Sequence, residues 1–166
     1  NYKDLIMRDI KEQAYRHLEH RMRTAYEMRT YLKEYGYDDS EIEPIVEELV
    51  SLNYIDDYEY ALRYIEYAIS KNRAIYRIKM ELRDKGISEE NIENAVEDSK
   101  EELQIDELAN ASSVARKELI GVSEIDDKKL GKIVRKLKRL GYSENIIIKT
   151  VEVLRKELKS SEEYWD

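Results

Sequence analysis

The sequence contains no cysteine, and that absence excludes several classes of site. Without cysteine the chain has no disulfide framework, no thiol nucleophile and no sulfur-based zinc site. The lack of disulfides fits a reducing compartment, and we expect a cytoplasmic protein. No apolar run approaches the roughly 18–20 residues that a membrane span needs, and no signal peptide is visible. We therefore expect no membrane partner.

Proline and glycine are also scarce, with one proline and five glycines in 166 residues. Charged residues make up 40% of the chain and hydrophobic residues 42%. Because helix-breaking residues are few, this composition favours helices over sheet. A chain of this length forms one or two domains and can bury roughly two-thirds of its unfolded surface. Residues 1–3 include no methionine, so we expect that the natural N-terminus is missing.

Three glycines, Gly36, Gly86 and Gly141, mark an internal repeat with steps of about 50 and about 55 residues. Apolar residues stand eleven, eight and four positions before each glycine, and six and ten positions after it. Spacings of three and four place these residues on one helix face, so each copy is predicted to be helix, glycine stop, helix. The residues are Ala25, Met28, Leu32, Ile42 and Val46; Ile75, Ile78, Leu82, Ile92 and Val96; and Leu130, Ile133, Leu137, Ile147 and Val151.

The pattern predicts an all-α fold, a tandem array of three three-helix repeats that is elongated and curved. A single repeat of this size cannot bury its apolar face alone, so neighbouring repeats must stack. We expect a monomer, because such an array closes its own core. The predicted units cover residues 1–57, 58–104 and 105–159, followed by a tail at 160–166 that contains Trp165. The predicted helices span about 9–21, 24–35, 41–52, 58–71, 73–85, 89–103, 106–119, 128–140 and 144–159.

Several polar residues are predicted to start these helices. Ser40 and Glu43 have the spacing of a capping box, and Ser88 and Ser143 are predicted N-caps. The acid pairs at 56–57 and 126–127 resemble the carboxylates of metal-dependent phosphoryl chemistry. They occupy different places in their repeats, however, so N-capping is the preferred interpretation of both pairs.

The net charge of −8 argues against simple nonspecific nucleic-acid binding. Charge is unevenly distributed among the predicted helices, however, and one short helix carries seven positive charges. The helix dipole favours some of this sorting, but not seven positive charges on one short helix. That helix is either an ordinary solvated helix or a binding stripe for phosphates or for an acidic protein surface. Its cations, with no acid between Lys128 and Leu140, are Lys128, Lys129, Lys132, Arg135, Lys136, Lys138 and Arg139.

No constellation typical of an enzyme is present. His17 and His20 stand three residues apart and could share a metal ion, but two ligands make a thin site, and surface residues are the preferred interpretation. Tyr60, Tyr64 and Tyr67 share a helix face and could stack on bases, although packing between helices is more common. There is no P-loop, glycine-rich dinucleotide loop or nucleophile motif. We predict no catalytic, cofactor-binding or metal-binding residue.

The chain resembles the RecX family, the regulators of RecA recombinase, from about Gln13 to Leu154. The resemblance depends on three segments in a fixed order. They are EELVSLNYIDD at 47–57 with Tyr60-Ala61 after it, RIKMELRDKGI at 77–87 and LKRLGYS at 137–143. The chain departs from the family pattern at 72–74, where Asn-Arg-Ala stands in place of a glycine-containing segment. It has tyrosine wherever the family has phenylalanine.

The resemblance implies a regulator rather than an enzyme, without a cofactor. Such a protein binds the RecA–DNA filament and blocks its extension or promotes its disassembly, which lowers strand exchange, ATP hydrolysis and co-protease activity. Some members also bind DNA, so single- or double-stranded DNA is a second candidate partner. The alternatives are a general helical-repeat scaffold and a DNA-binding module unrelated to RecA. We expect the partner to be contacted by Arg73, Arg77, Lys79, Arg83, Lys132, Arg135 and Arg139.

Overall fold

The computed structural model describes residues 8–163, and over this range the chain is all-helical. Nine α-helices and one short 3₁₀ helix follow one another there, without a strand. The predicted all-α class is confirmed. The helices are α1 (Ile10–His20), α2 (Ala25–Tyr35), α3 (Asp39–Ser51), α4 (Asp57–Ser70), α5 (Ile75–Asp84), α6 (Glu89–Leu103), α7 (Glu107–Arg116), α8 (Asp127–Arg139) and α9 (Glu144–Glu163), with the 3₁₀ helix at Lys117–Leu119.

Most predicted helix starts are confirmed by hydrogen bonds. The hydroxyls of Ser88 and Ser143 each accept a backbone N–H three residues later, at 3.2 Å. Asp56 and Asp126 accept in the same way, at 3.0 and 2.7 Å. These four residues are therefore N-caps.

Three predicted helix boundaries are off by two or more residues, and the first is the start of α5, predicted at 73 and found at Ile75. The capping box of α3 is formed by Asp38 and Glu41, not by Ser40 and Glu43, and the Asp38 N–H donates to Glu41 Oε2 at 3.0 Å. The helix therefore begins two residues earlier than predicted. At the other end of the chain, α9 continues to Glu163, so 160–163 is helix rather than tail. The prediction on Trp165 falls outside the described residues.

The three repeat glycines end α2, α5 and α8 as predicted. Gly36, Gly86 and Gly141 have φ values of 110°, 76° and 93°, in the left-handed region. After each of them, the next N–H donates to the carbonyl five residues back, at 3.1–3.2 Å. This pattern satisfies carbonyls that a helix end leaves open.

Contacts divide the described residues into two compact units. One unit contains residues 8–64 and 81–97, and the other contains residues 65–80 and 98–163. The core of the first includes Met28, Leu32 and Ile42, and the core of the second includes Ile133 and Leu137. The positions eight and four before each glycine, and six and ten after it, are buried in all three repeats.

No helix within residues 8–163 is both long enough and apolar enough to cross a membrane.

Candidate partner-binding surfaces

The junction between the first and second repeats lies within the first compact unit. The Asp57 carboxylate accepts the Ala25 N–H at 2.9 Å, and the Thr24 hydroxyl donates to the Lys85 carbonyl at 2.7 Å. Burial is the main cause that raises the pKa of Asp57. A Cβ on Gly86 would collide with the side chain of Tyr26. The junction therefore holds the start of α2 against the end of α5.

The junction between the second and third repeats lies within the second compact unit and uses equivalent positions. Glu107 accepts the Ile75 N–H at 3.1 Å, as Asp57 accepts that of Ala25. The Ala74 N–H donates to the Leu140 carbonyl at 2.8 Å. The start of α5 is thus held against the end of α8.

Arg77, one of the predicted partner-binding residues, is part of this second junction. Its Nη1 donates to the Arg139 carbonyl at 2.8 Å, and a Cβ on Gly141 would lie 2.5 Å from Arg77 Cβ. The structure therefore brings together Arg77 and Arg139, two residues that were selected from separate segments. Part of the role of Arg77 is to join the repeats.

Other predicted residues on α5 and before it also have contacts inside the chain. The Arg73 guanidinium lies 5.6 Å from the centre of the Tyr67 ring. Lys79 lines a shallow cavity of about 390 Å³ with Tyr76 and Lys100. Arg83, which belongs to the first compact unit, forms a double hydrogen bond with Glu89. An exposed pair of this kind stabilises the fold by less than about 1 kcal/mol.

Helix α8 presents its cations to solvent. Lys128, Lys132, Arg135 and Arg139 are all exposed, and their spacings of four, three and four place them in one line along the helix. Ile133 and Leu137, on the opposite face, are fully buried. Three predicted contact residues therefore share one exposed stripe, and Lys128 extends it.

Glu118, which no sequence pattern identifies, lies beside this stripe. Its carboxylate pairs with the Lys136 and Lys132 ammonium groups at 2.8 and 2.9 Å. Hydrogen bonds from Lys136 and then from Lys132 lower the pKa of Glu118 to about 2. Glu118 follows α7 in the 3₁₀ helix, and no local pattern links it to α8. Only the packing of the two segments could have identified it.

The tyrosines of the second repeat divide into packed and exposed rings. Tyr60 is buried and stacks near Tyr64, with 6.3 Å between ring centres, and the Tyr64 hydroxyl donates to Glu81 at 2.7 Å. The Lys85 ammonium lies over both rings. Tyr67 is half exposed. Packing between helices, the preferred interpretation, thus describes two of the three rings.

The two histidines have different surroundings. His17 is half-buried and stacks on Tyr31, with ring centres 3.6 Å apart. Burial, followed by the charges of Arg23 and Arg21, lowers the pKa of His17 to about 4. His20 is exposed. Across the part of the chain that the structure describes, no three His, Asp or Glu side chains are placed to hold a metal ion.

Family models match the first two repeats of the chain. Residues 11–49 match the model of the first three-helix domain of RecX, and residues 56–96 match that of the second. The matched ranges contain α2, α4 and α5 in full and most of α1, α3 and α6.

Curated relatives match over a larger part of the chain. The regulatory protein RecX of Vibrio parahaemolyticus is 32% identical over 134 residues, which cover 80% of this chain and 83% of the relative. That of Vibrio vulnificus is 34% identical, with 82% and 87% covered. That of Lactococcus lactis is 32% identical and matches 92% of this chain but 57% of its own length.

Solved structures share the fold. The crystal structure of RecX from Lactobacillus salivarius superposes with a TM-score of 0.73 at 24% identity, covering 87% of this chain and 94% of that one. A second crystal structure of a regulatory protein RecX has a TM-score of 0.66 at 26% identity, with 83% and 70% covered.

Proposed function

We propose a function from one premise: this chain belongs to the RecX family. The relatives in this family are named regulatory proteins. We propose that the chain binds a RecA–DNA filament and restrains the recombinase by blocking filament extension or promoting disassembly. In this proposal it acts by binding, has no catalytic activity of its own, and works in the cytoplasm during DNA repair and recombination.

The observation that carries the proposal is the match to regulatory relatives over more than four-fifths of their length. The described residues add a second form of support. The DNA of such a filament carries negatively charged phosphates, and α8 presents a line of cations to solvent. Complementary charge speeds association and makes it sensitive to salt.

We propose that the contact set comprises the seven cations selected from the sequence, with unequal roles. Arg77 and Arg83 have contacts within the chain that would persist in the complex. The exposed cations of α8 would supply most of the charge. The full set is Arg73, Arg77, Lys79, Arg83, Lys132, Arg135 and Arg139.

The test is the ATP hydrolysis of RecA on single-stranded DNA, measured with increasing amounts of this chain added to preformed filaments. We expect the rate of ATP hydrolysis to fall as the amount of added chain approaches the amount that coats the filament. Hydrolysis that stays constant at several-fold excess would reject the proposal. Capture of a different partner, but never of RecA, would instead favour the scaffold alternative.

A matched pair of variants separates the contact set from net charge. Reversing Lys132, Arg135 and Arg139 to Glu should weaken inhibition at least tenfold. Reversing Lys149, Arg155 and Lys156, which are exposed on α9, changes the net charge equally and should leave inhibition within about twofold. Equal losses in the two variants would show that α8 is not a contact surface.

A further inference from the structure

A cavity beside Tyr76 has the size of a small-molecule site. Its volume is about 390 Å³, and such sites occupy roughly 300–1,000 Å³. Three segments surround it: the start of α5, the last turn of α6 with the residues that follow, and the first residue of α7. All of the lining residues belong to the second compact unit. They are Ile75, Tyr76, Lys79, Lys100, Ile105 and Glu107.

The lining includes a flat aromatic surface that the chain leaves open. The Tyr76 ring is 67% exposed, although Ile78 in the same helix is fully buried. Ile75 and Ile105 are half-buried and add aliphatic surface to the same cavity. Planar rings stack favourably on an exposed aromatic side chain, and nucleobases of any sequence do so. The apolar part of the cavity therefore suits a ligand with a planar ring.

The charged groups of the lining occupy different positions along α5. Glu107 Oε1 accepts the Ile75 N–H at 3.1 Å, which places this carboxylate at the first residue of the helix. Lys79 follows about one turn later, or about 6 Å along the axis, and Lys100 reaches the cavity from the last turn of α6. Glu107 Oε2 accepts no hydrogen bond from residues 8–163, so it can accept one from a ligand.

We propose that this cavity binds a free nucleoside phosphate whose base carries an amino group, such as AMP. The base stacks on Tyr76, and its amino group donates to Glu107 Oε2. The phosphate lies between the Lys79 and Lys100 ammonium groups, which act as point charges. Neither a recombinase nor a nucleic-acid strand takes part in this binding.

The separation of acid and base along α5 distinguishes a nucleotide from a free amino acid. The ammonium and carboxylate groups of an amino acid share one carbon atom, whereas Glu107 and Lys79 enter the cavity about one helical turn apart. A nucleotide separates its amino group from its phosphate by the length of a base and a sugar. Both lysines also have contacts within the chain, which the phosphate must replace. We therefore expect a dissociation constant on the order of 1 mM.

The experiment is saturation-transfer NMR of AMP with the full chain, titrated at low salt, with IMP, adenosine and inorganic phosphate as comparison probes. IMP is identical to AMP except that a carbonyl oxygen replaces the amino group. It should bind at least about fivefold more weakly, because that oxygen faces the Glu107 carboxylate. Adenosine and inorganic phosphate should each bind more weakly than AMP, because each lacks one half of the contacts.

A matched pair of tyrosine variants tests the stacking surface. Tyr76→Ala should weaken AMP binding at least about fivefold, through the loss of one stacked base. Tyr67→Ala is the control, because Tyr67 is also half exposed and has Lys71 and Arg73 near its ring, but does not line the cavity. It should leave AMP binding within about twofold. Circular dichroism verifies that both variants fold.

A second pair tests the phosphate contacts. Lys79→Gln combined with Lys100→Gln should weaken AMP binding and leave adenosine binding unchanged, whereas Lys149→Gln combined with Lys156→Gln, on the exposed side of α9, changes the net charge equally and should affect neither ligand. An equal loss of AMP binding in both double variants would show that net charge alone attracts the nucleotide, and the proposal would be wrong.

Other outcomes also count against the site. AMP that shows no saturable binding up to about 10 mM would overturn the proposal, and so would equal affinities for AMP and IMP. An aromatic carboxylate such as phenylacetate that binds more tightly than AMP would assign the cavity to that class of ligand instead. Lys79 also belongs to the proposed contact set for the filament. Because these titrations contain no RecA, a failure to bind AMP would leave the proposed function standing.

Discussion

Gly86 and Gly121 have the same φ in different surroundings, so a comparison of the two separates backbone strain from side-chain packing. Both have a φ of +76°. Gly86 meets the side chain of Tyr26 at the first repeat junction, whereas nothing lies within 4 Å of a Cβ on Gly121. Glycine is required at Gly86 for two reasons and at Gly121 for one.

We predict that Gly86→Ala destabilises the fold by about 2–4 kcal/mol, because left-handed strain adds to a collision with Tyr26. Gly121→Ala should cost about 1 kcal/mol, from strain alone. Urea unfolding followed by circular dichroism measures both values. Similar costs for the two variants would show that the close approach at Gly86 contributes little.

His17 gives the fold a specific pH dependence. Its folded-state pKa is about 4, below its usual value of 6.5, because the stacked ring is partly buried and lies near the charges of Arg23 and Arg21. Between these values the unfolded chain binds the proton and the folded chain does not, so stability falls as the pH drops from about 6.5 to 4. The full shift would correspond to roughly 3 kcal/mol, and solvent screening of the half-exposed ring makes the loss smaller than that.

We predict that His17→Phe, which keeps a stacking ring, flattens the stability profile across this window. The measurement is the urea midpoint at half-unit pH steps between 7 and 4, compared with the unmodified chain. Carboxylates titrate in both proteins and cancel in the comparison. Parallel profiles would contradict the assignment to His17.

At the scale of a single element, α8 depends on its first residues. Asp126 accepts the Lys129 N–H at 2.7 Å, while Asp127 is the first residue of the helix and is exposed. We predict that Asp126→Ala costs about 1 kcal/mol through the lost cap, and Asp127→Ala a few tenths through the helix dipole. Chemical unfolding of the two variants measures the difference. A larger cost for Asp127→Ala than for Asp126→Ala would contradict the assignment of Asp126 as the N-cap.

Helix periodicity and glycine spacing predicted nearly every element, because both are local properties. The start of α3 was misplaced because aspartate and serine at neighbouring positions offer competing caps. The continuation of α9 to Glu163 was missed because a polar, charged segment carries no apolar stripe. Helix ends are the feature for which local sequence gives the weakest signal.

The candidate surface was predicted in part. Three of the seven selected cations, Lys132, Arg135 and Arg139, share one exposed stripe, because helical spacing alone sets their common face. Arg77 was selected as a partner contact, and its junction bond to Arg139 joins residues 62 positions apart. Such a bond cannot be read from a local pattern. The same is true of Glu118 and its two lysines.

At the scale of the whole chain, each repeat is joined to the next by the same kind of bond. When each repeat is counted from the start of its first helix, the second repeat begins at Asp57 and the third at Glu107. These two residues accept the N–H that begins the middle helix of the repeat before. In repeat proteins, stability is approximately a sum of repeat terms and neighbour terms. The hydrogen bonds that these two carboxylates accept therefore contribute to the interaction free energy between neighbouring repeats.

We predict that Asp57→Ala and Glu107→Ala each cost about 1–2 kcal/mol, because each leaves a helix-start N–H without its acceptor. The two bonds share no residue and lie within different compact units, so the costs should add to within about 0.5 kcal/mol in a double-mutant cycle. Asp57→Asn, which keeps an acceptor oxygen, should cost less than Asp57→Ala, since burial already disfavours the charge at Asp57. Strong coupling between the two alanine variants would contradict independent junctions.

The middle repeat supplies acceptors to one junction and donors to the other. It offers Asp57 and the Lys85 carbonyl to the repeat before it, and the N–H groups of Ala74 and Ile75 to the repeat after it. A tandem duplication of residues 57–106 would therefore place a donor opposite a carboxylate at the new seam without any further substitution. Recombination within the gene can therefore add whole repeats to such a chain. The number of repeats can then change while the residues that form the junctions stay the same.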